Sequence, residues 1–232
     1  SRMRSLARPC ADGTEVLGEA REELQTMSRL FRMTAYELCS DAVIRMQPDT
    51  VSAIFARQGE AVVVDERVAE DGAAFALAGE ALSTSGCAWL FELGPAEARL
   101  RREEGRQPIL SRIATAPEGE LILRIDRVGS AAGAQTSAHR QRGPGIRRLV
   151  SGLLHAEVGG DFDRIGPGQA WFESGREDVV GTNVSGGDNS FVRVMLLPSE
   201  LAGGVSSFVA ASPVDAAKPR AARIQILGER KI

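Results

Sequence analysis

From about residue 30 onward, apolar and polar residues alternate in short runs that are separated by glycine, proline, aspartate and serine. A period of two places alternate side chains on opposite faces of a β-strand. The segments with this texture are AVIRM, SAIFA, EAVVVD, AWLFEL, LILRIDRV, IRRLVSG, FVRVMLL and ARIQIL. Many short strands at such spacing are typical of a β-sandwich or barrel, so the pattern predicts an all-β fold.

One stretch ahead of these strands has a different period. In residues 14–27, apolar side chains recur close to the 3.6-residue period of an α-helix, and Thr14 is a suitable N-cap. The pattern predicts a short N-terminal helix ahead of the β-domains.

An internal repeat predicts two similar halves. The segments GEALSTSG at 79–86 and GQAWFESG at 168–175 share four of eight residues without a gap. Each is preceded by a predicted strand pair that turns on a glycine, Gly59 or Gly152, and repeated order of this kind indicates a repeated architecture. Between the halves, the chain is charged and poor in strand-forming residues. The predicted parts are a leader 1–29, a first domain 30–95, a connector 96–118 and a second domain 119–232 with a C-terminal strand extension.

Composition narrows the function classes. The net charge is -3, with acids and bases interspersed, so no basic face is predicted for nucleic acid or anionic lipid. No apolar run reaches the roughly 20 residues that a membrane span needs. The three cysteines are an odd number at unrelated spacings, which favours a reducing, cytoplasmic location. The closing strand at 222–227 offers an edge for pairing, so a homodimer is a further expectation.

A set of glycine, histidine and glutamine residues in the second half has a distinctive spacing. Gly133, His139, Gln141, Gly145 and Gly152 fit the order Gly, five residues, His-x-His, three or four residues, Glu, six residues, Gly, with Gln and Gly in place of the second His and the Glu. This order resembles the first motif of the cupin family, small antiparallel barrels of the jelly-roll type. The resemblance and the repeat together imply a bicupin: two cupin barrels, of which the first is degenerate.

The resemblance also bears on metal binding. The family's second motif runs Gly, five residues, Pro-x-Gly, two residues, His, three residues, Asn. Counted from Gly168 of GPGQAWFESGREDVV, and one residue shorter between the Pro and Gly positions, it places Asp178 at the third histidine position. Cupin metals sit on imidazole nitrogens and a carboxylate, and the chain has only two histidines, His139 and His155. Strand parity predicts that His155 faces outward. A residual site would therefore use a divalent transition metal on His139 and Asp178, with Gln141 as a third donor.

Strand parity predicts what else faces the second barrel. It turns Arg147 inward and Arg148 outward, and a buried guanidinium needs a carboxylate or a planar anion. The predicted ligand-binding residues are His139, Gln141, Arg147, Asp178 and Trp171. Three interpretations stay open: an Arg147 to Asp178 ion pair that fills the site, a bound carboxylate, or a residual metal.

Two functions follow from these alternatives. One is a metal-free cupin that needs no cofactor and either binds a small, carboxylate-bearing metabolite or serves a structural or regulatory role. The other is a metal-dependent cupin enzyme, a dioxygenase or isomerase. For the first barrel, the repeat predicts that Trp89 plugs the interior.

Overall fold

The computed structural model describes residues 29–39, 41–103 and 105–232. Within these residues the chain is nearly all β, as predicted. The helical elements in this part of the chain are a 3-10 turn, Ser199–Leu201, and a single-turn helix α1, Pro213–Ala216. The predicted helix at 14–27 lies outside the described residues. No helix in the described ranges is long and apolar enough to cross a membrane.

The first half of the described chain forms two sheets. Its strands are β1 Leu30–Leu38, β2 Val43–Arg45, β3 Val51–Gln58, β4 Ala61–Val63, β5 Glu66–Val68, β6 Ala73–Leu77, β7 Ala81–Thr84, β8 Cys87–Pro95 and β9 Arg106–Thr115. One sheet has the order β6-β3-β8-β1-β9, and the other has the order β2-β7-β4-β5.

The second half forms two sheets in the same arrangement. Its strands are β10 Leu121–Ser130, β11 His139–Gln141, β12 Gly145–Ser151, β13 Leu154–Val158, β14 Asp161–Ile165, β15 Ala170–Glu173, β16 Val179–Asn183, β17 Asn189–Pro198, β18 Phe208–Ala210 and β19 Ala222–Lys231. The sheet orders are β15-β12-β17-β10-β19 and β14-β13-β16-β11-β18.

Matching β-bulges fix the register between the halves. The bulge in β3 follows Ala56 and precedes Gly59, and the bulge in β12 follows Leu149 and precedes Gly152. Both glycines have a positive φ, 77° and 83°, at the turn into the next strand. Nine strands of the second half therefore repeat those of the first, with β3 equivalent to β12, and β18 is an additional strand.

The sequence repeat had predicted this duplication in the wrong register. Residues 79–86 contain β7, whereas residues 168–175 contain β15, and the sheet orders make β15 the equivalent of β6. The glycine-rich segment GPGQAWFESG thus contains strand β15. The error arose because the shared glycines mark turns before two different strands.

The predicted connector 96–118 includes β9, a ten-residue strand. This strand lies at the outer edge of its sheet, where it pairs with β1 alone. Pro108 cannot donate to a ladder, and an edge position next to a register shift tolerates it. Weak strand composition therefore did not prevent a strand here.

The largest apolar core lies between the two halves. It joins residues from the sheet that contains β3 and the sheet that contains β12, among them Phe55 and Phe91 of the first half and Leu123 and Ile146 of the second. A separate cluster fills the interior of the first half between its own two sheets, and includes Tyr36, Ile54 and Leu90. Both faces of the first half's larger sheet are therefore buried.

Trp89 belongs to the core between the halves. It is 2% exposed, but its ring packs with Phe55 and lies 4.3 Å from the Arg148 guanidinium of the second half. The prediction that Trp89 plugs the first barrel is wrong. Period-two alternation turns Leu90 inward instead, so Trp89 must face the opposite side of the sheet.

Candidate functional site

The second half encloses a cavity of about 470 Å³ between its two sheets. Strands of both sheets contribute lining residues, and β18 and the chain before β19 complete the lining. The ionisable side chains in the lining are Arg124, Asp126, His139, Arg147, Glu173, Arg193 and Arg220. The larger apolar ones are Val128, Leu154, Trp171, Val179, Phe191, Phe208, Ile224 and Ile226.

Arg147 lies in the wall of this cavity, as strand parity predicted. Its side chain is 1% exposed, and its Nη2 lies 2.5 Å from Oε2 of Glu173. That contact is an ion pair but is not aligned as a hydrogen bond, while Nη1 donates to the Gly145 carbonyl at 2.6 Å. Burial lowers the pKa of Arg147 to about 10, against the opposing effect of Glu173, so the side chain stays charged at neutral pH.

Glu173 also accepts a hydrogen bond from the indole of Trp171, with Nε1 3.0 Å from Oε1. Both carboxylate oxygens of Glu173 therefore have partners in the wall. Removing Arg147 would leave a buried carboxylate with only the indole donor.

A second buried ion pair joins Arg193 to Asp126. Nε and Nη2 of Arg193 donate to the two carboxylate oxygens at 2.6 and 3.1 Å. This bidentate geometry is the strongest form of an arginine–carboxylate contact. It leaves Nη1 of Arg193 without a hydrogen-bond partner among the described residues.

His139 is held in one tautomer. Its Nδ1 lies 2.8 Å from the Ser137 carbonyl oxygen, which can only accept, so the ring donates from Nδ1 and Nε2 carries the lone pair. Burial lowers the pKa of His139, which favours this neutral form. The ring stacks on Phe208 with centroids 4.5 Å apart.

Gln141 lies two residues along the same strand and faces the same cavity. Its Oε1 accepts a hydrogen bond from Ser207 at 2.6 Å, which leaves its amide group free to donate. The free amide of Gln141, Nε2 of His139 and Nη1 of Arg193 are thus three polar atoms on lining side chains with no partner in the described part of the chain. A carboxylate could accept from the amide and the guanidinium.

Arg220 adds a positive charge where the chain before β19 lines the cavity. Its side chain is exposed, and its guanidinium lies over the Phe208 ring at 3.4 Å from the centroid. No carboxylate of the described residues pairs with it. By contrast, Arg124 is bound to Glu229 at 2.6 Å.

Asp178 lies outside this site. Its carboxylate pairs with Arg140 at 2.7 Å, and both side chains are about half exposed. The predicted Arg147 to Asp178 pair is therefore wrong, and Glu173 takes that role. The second-motif spacing, counted from Gly160 rather than Gly168, puts Trp171 at the third histidine position, which explains why Trp171 lines the cavity.

The structure brings together four of the five predicted ligand-binding residues: His139, Gln141, Arg147 and Trp171. His155 packs against Phe162 and does not line the cavity. Arg148 faces away from the cavity, as predicted, but it is buried against the first half, where it pairs with Glu37.

Sequence reasoning missed Glu173, Asp126 and Arg193. A signal existed for Glu173, because it lies two residues after Trp171 on one strand and must share its face. No comparable signal marked Asp126, which lies in a strand whose other face carries the apolar Leu121, Leu123 and Ile125.

The described residues do not fit the metal that the resemblance implies. Gly145 occupies the position of the family's glutamate, and a Cβ there would lie 2.5 Å from the Val194 carbonyl oxygen. The Glu173 carboxylate is already bound by Arg147 and Trp171, and Asp178 lies outside the cavity, where it pairs with Arg140. No group of three His, Cys, Asp or Glu side chains in the described ranges could hold a metal ion. His139 would be a lone ligand.

Solved structures show what kind of fold this is. The chain is similar to a mutant of Bacillus subtilis oxalate decarboxylase OxdC, with a TM-score of 0.54 and 11% identity over 85% of this chain and 75% of that one. It is also similar to AerE from Microcystis aeruginosa, with a TM-score of 0.51 and 15% identity over 72% of this chain and 87% of that one. The chain has the cupin-superfamily fold.

A third similar structure is an IolB-like protein from Salmonella typhimurium, with a TM-score of 0.50 and 12% identity over 73% of this chain and 84% of that one. No protein-family model matches the sequence, and no curated protein matches it. At these identities the likeness concerns the fold alone.

Proposed function

We propose that this protein is a metal-free cupin that binds a small, carboxylate-bearing metabolite in the second of two barrels. The observation that carries the proposal is the combination of a 470 Å³ cavity with unused donors on Arg193 and Gln141. A cavity of this size with few convergent polar groups is typical of small-molecule sites. In the two-barrel interpretation, the first barrel is filled and serves as a structural partner.

The balance of charges favours an anion. Asp126 and Glu173 are each neutralised by an arginine in the wall, so neither carboxylate offers a free negative charge to a cation. Arg220 adds a positive charge without a carboxylate partner in the described ranges. A ligand carboxylate would accept from Nη1 of Arg193 and the amide of Gln141.

The alternative, a metal-dependent dioxygenase or isomerase on His139, Asp178 and Gln141, has no support in the geometry, because Asp178 faces solvent beside Arg140. A structural or regulatory role remains compatible with the filled first half. Ligand binding distinguishes this role from the proposed one.

Isothermal titration calorimetry of the purified chain tests the proposal. Small carboxylic acids are compared with their neutral amides, and the acids are expected to bind at least tenfold more tightly because only they pair with Arg193. Equal affinity of acid and amide, or no binding by any acid, would contradict the proposal.

A matched pair of variants locates the site. Arg193→Lys keeps the charge beside Asp126 but loses the free Nη1, and should weaken acid binding by about 10- to 100-fold, the worth of one charged hydrogen bond. Arg140→Lys is the control, since Arg140 lies between His139 and Gln141 but faces solvent. An equal loss in both variants would remove the cavity as the site.

We also propose, as a separate point, that a second copy of the chain pairs on the β19 edge. This strand is the outermost of its sheet, and Ile224 is 54% exposed on it. Analytical ultracentrifugation checks the oligomeric state, and a monomer at all concentrations would reject a homodimer.

A further inference from the structure

Resting on the proposed function, we infer that the bound carboxylate is joined to an apolar aryl or alkyl body and is not a small diacid. The carboxylate site alone explains neither the size of the cavity nor the apolar chemistry of its walls.

The cavity is much larger than a carboxylate needs. A dry cavity of about 150 Å³ accommodates benzene, which has six heavy atoms. The volume of about 470 Å³ would then hold roughly 15 to 20 heavy atoms at a similar density. A two-carbon or four-carbon diacid would fill a small part of it.

The walls away from the arginines are apolar. Leu154 and Ala156 on β13 are buried and face the cavity, as does Val179 at the start of β16. Trp171 packs its ring edge-on against Phe191, with centroids 5.1 Å apart, and both rings line the same space. These side chains would gain from contact with an apolar ligand that displaces water.

The unused polar atoms are few by comparison. The unused donors of the buried wall lie on Gln141 and Arg193, which suffice for one carboxylate, whereas Nε2 of His139 is an acceptor. The exposed Arg220 lies over the Phe208 ring. The remaining buried charges of the wall are paired with each other, as Arg147 is with Glu173. A site with one anion-binding group and an extended apolar wall selects an amphipathic acid.

Calorimetry with a graded set of acids tests the inference. The probes are acetate, oxalate, succinate, phenylacetate, 3-phenylpropionate and 4-phenylbutyrate, with 4-phenylbutyramide as the neutral counterpart. Among the phenyl acids, affinity should rise about fourfold per added methylene. The longest should bind at least a hundredfold more tightly than acetate or oxalate.

A variant of the apolar wall checks where the body lies. Val179→Thr keeps the shape but exposes a hydroxyl to the ligand, and should lower the affinity for 4-phenylbutyrate about fourfold with no change for acetate. Val180→Thr is the matched control, because Val180 is the next residue and does not line the cavity.

The outcomes separate the two proposals. If oxalate or acetate binds as tightly as the phenyl acids, the apolar body is rejected and the carboxylate site stands. If 4-phenylbutyramide binds as tightly as its acid, the carboxylate site itself is rejected. If no acid binds, both proposals fail.

Discussion

The two halves of the chain place different residues at equivalent points of one β-framework. In each half, one inward position, on β3 in the first half and on β12 in the second, faces a partner on each of the two neighbouring strands. These positions, in the same order, are Arg147, Arg193 and Trp171 in the second half, and Ile54, Leu90 and Ala74 in the first. The bulges in β3 and β12 show that the two rows are equivalent.

The contrast shows how one framework gives either a core or a cavity. In the first half the row is apolar and packs into a continuous cluster, where Ile54 and Leu90 are fully buried. In the second half the arginines pair with carboxylates along the walls, at Glu173 and Asp126, and the space between the walls stays open. Paired charges in a wall do not fill a barrel in the way that branched apolar chains do.

The largest effect is expected when the arginine of the second half is placed at the equivalent position of the first half, Ile54. Ile54→Arg would bury a guanidinium in the apolar cluster without a carboxylate partner, and should cost on the order of 5 kcal/mol in the free energy of unfolding. Urea denaturation followed by circular dichroism measures this loss. Val62→Arg, on the outward face of β4, is the control and should cost about 1 kcal/mol or less. Equal losses would mean that the interior of the first half tolerates charge.

Trp89→Ala tests whether the two halves share a core. Truncating this ring should lower the free energy of unfolding by about 3 to 5 kcal/mol, because the cavity left behind lies between the sheets. The same variant removes the ring on which the Arg148 guanidinium lies. A loss under about 1 kcal/mol would place Trp89 at a surface and argue against packed halves.

Arg147→Met tests the ion pair in the cavity wall. The substitution strands Glu173 and should cost about 3 to 5 kcal/mol. In the double variant Arg147→Met with Glu173→Gln, most of this loss should be recovered, since no buried charge is left unpaired. Chemical denaturation of the three proteins gives the coupling, and an unchanged loss in the double variant would contradict the pairing.

The smallest effect concerns pH. Burial lowers the pKa of His139 in the folded state, so the unfolded chain binds the proton more readily. Stability from the neutral ring is therefore present above the unfolded pKa of about 6.5 and is lost as pH falls from there toward the folded value. His139→Gln should flatten this part of the stability profile between pH 7.5 and 5.5. A steeper loss in His139→Gln than in the parent chain would reverse the assignment.

The sequence was sufficient for the strands in the eight alternating segments and for the first motif. All eight alternating segments contain strands, and the inward positions of His139, Gln141 and Arg147 follow from spacing and parity alone. The second motif was aligned wrongly because two glycine-rich turns, at Gly160 and Gly168, lie close together. Counting from Gly168 placed Asp178 at a ligand position.

The charged row of the second half could not be predicted for a different reason. In β10, Leu123 and Ile125 alternate with Arg124 and Asp126, and the apolar face would ordinarily be assigned to the barrel interior. Here the apolar face packs on the other half and the charged face lines the cavity. When both faces of a sheet are buried, the alternation of side chains separates the two faces but does not show which of them lines the barrel interior.

The two tryptophans allow the central claim to be tested in one spectrum. The chain contains only Trp89 and Trp171, one between the halves and one in the cavity wall. Their indole N–H signals in a ¹⁵N–¹H correlation spectrum can be assigned with Trp89→Phe and Trp171→Phe, and then followed during titration with 4-phenylbutyrate. The account predicts a saturable shift of the Trp171 signal with the Trp89 signal unmoved. A shift of the Trp89 signal alone, or no shift of either at saturating acid, would contradict a ligand site in the second half.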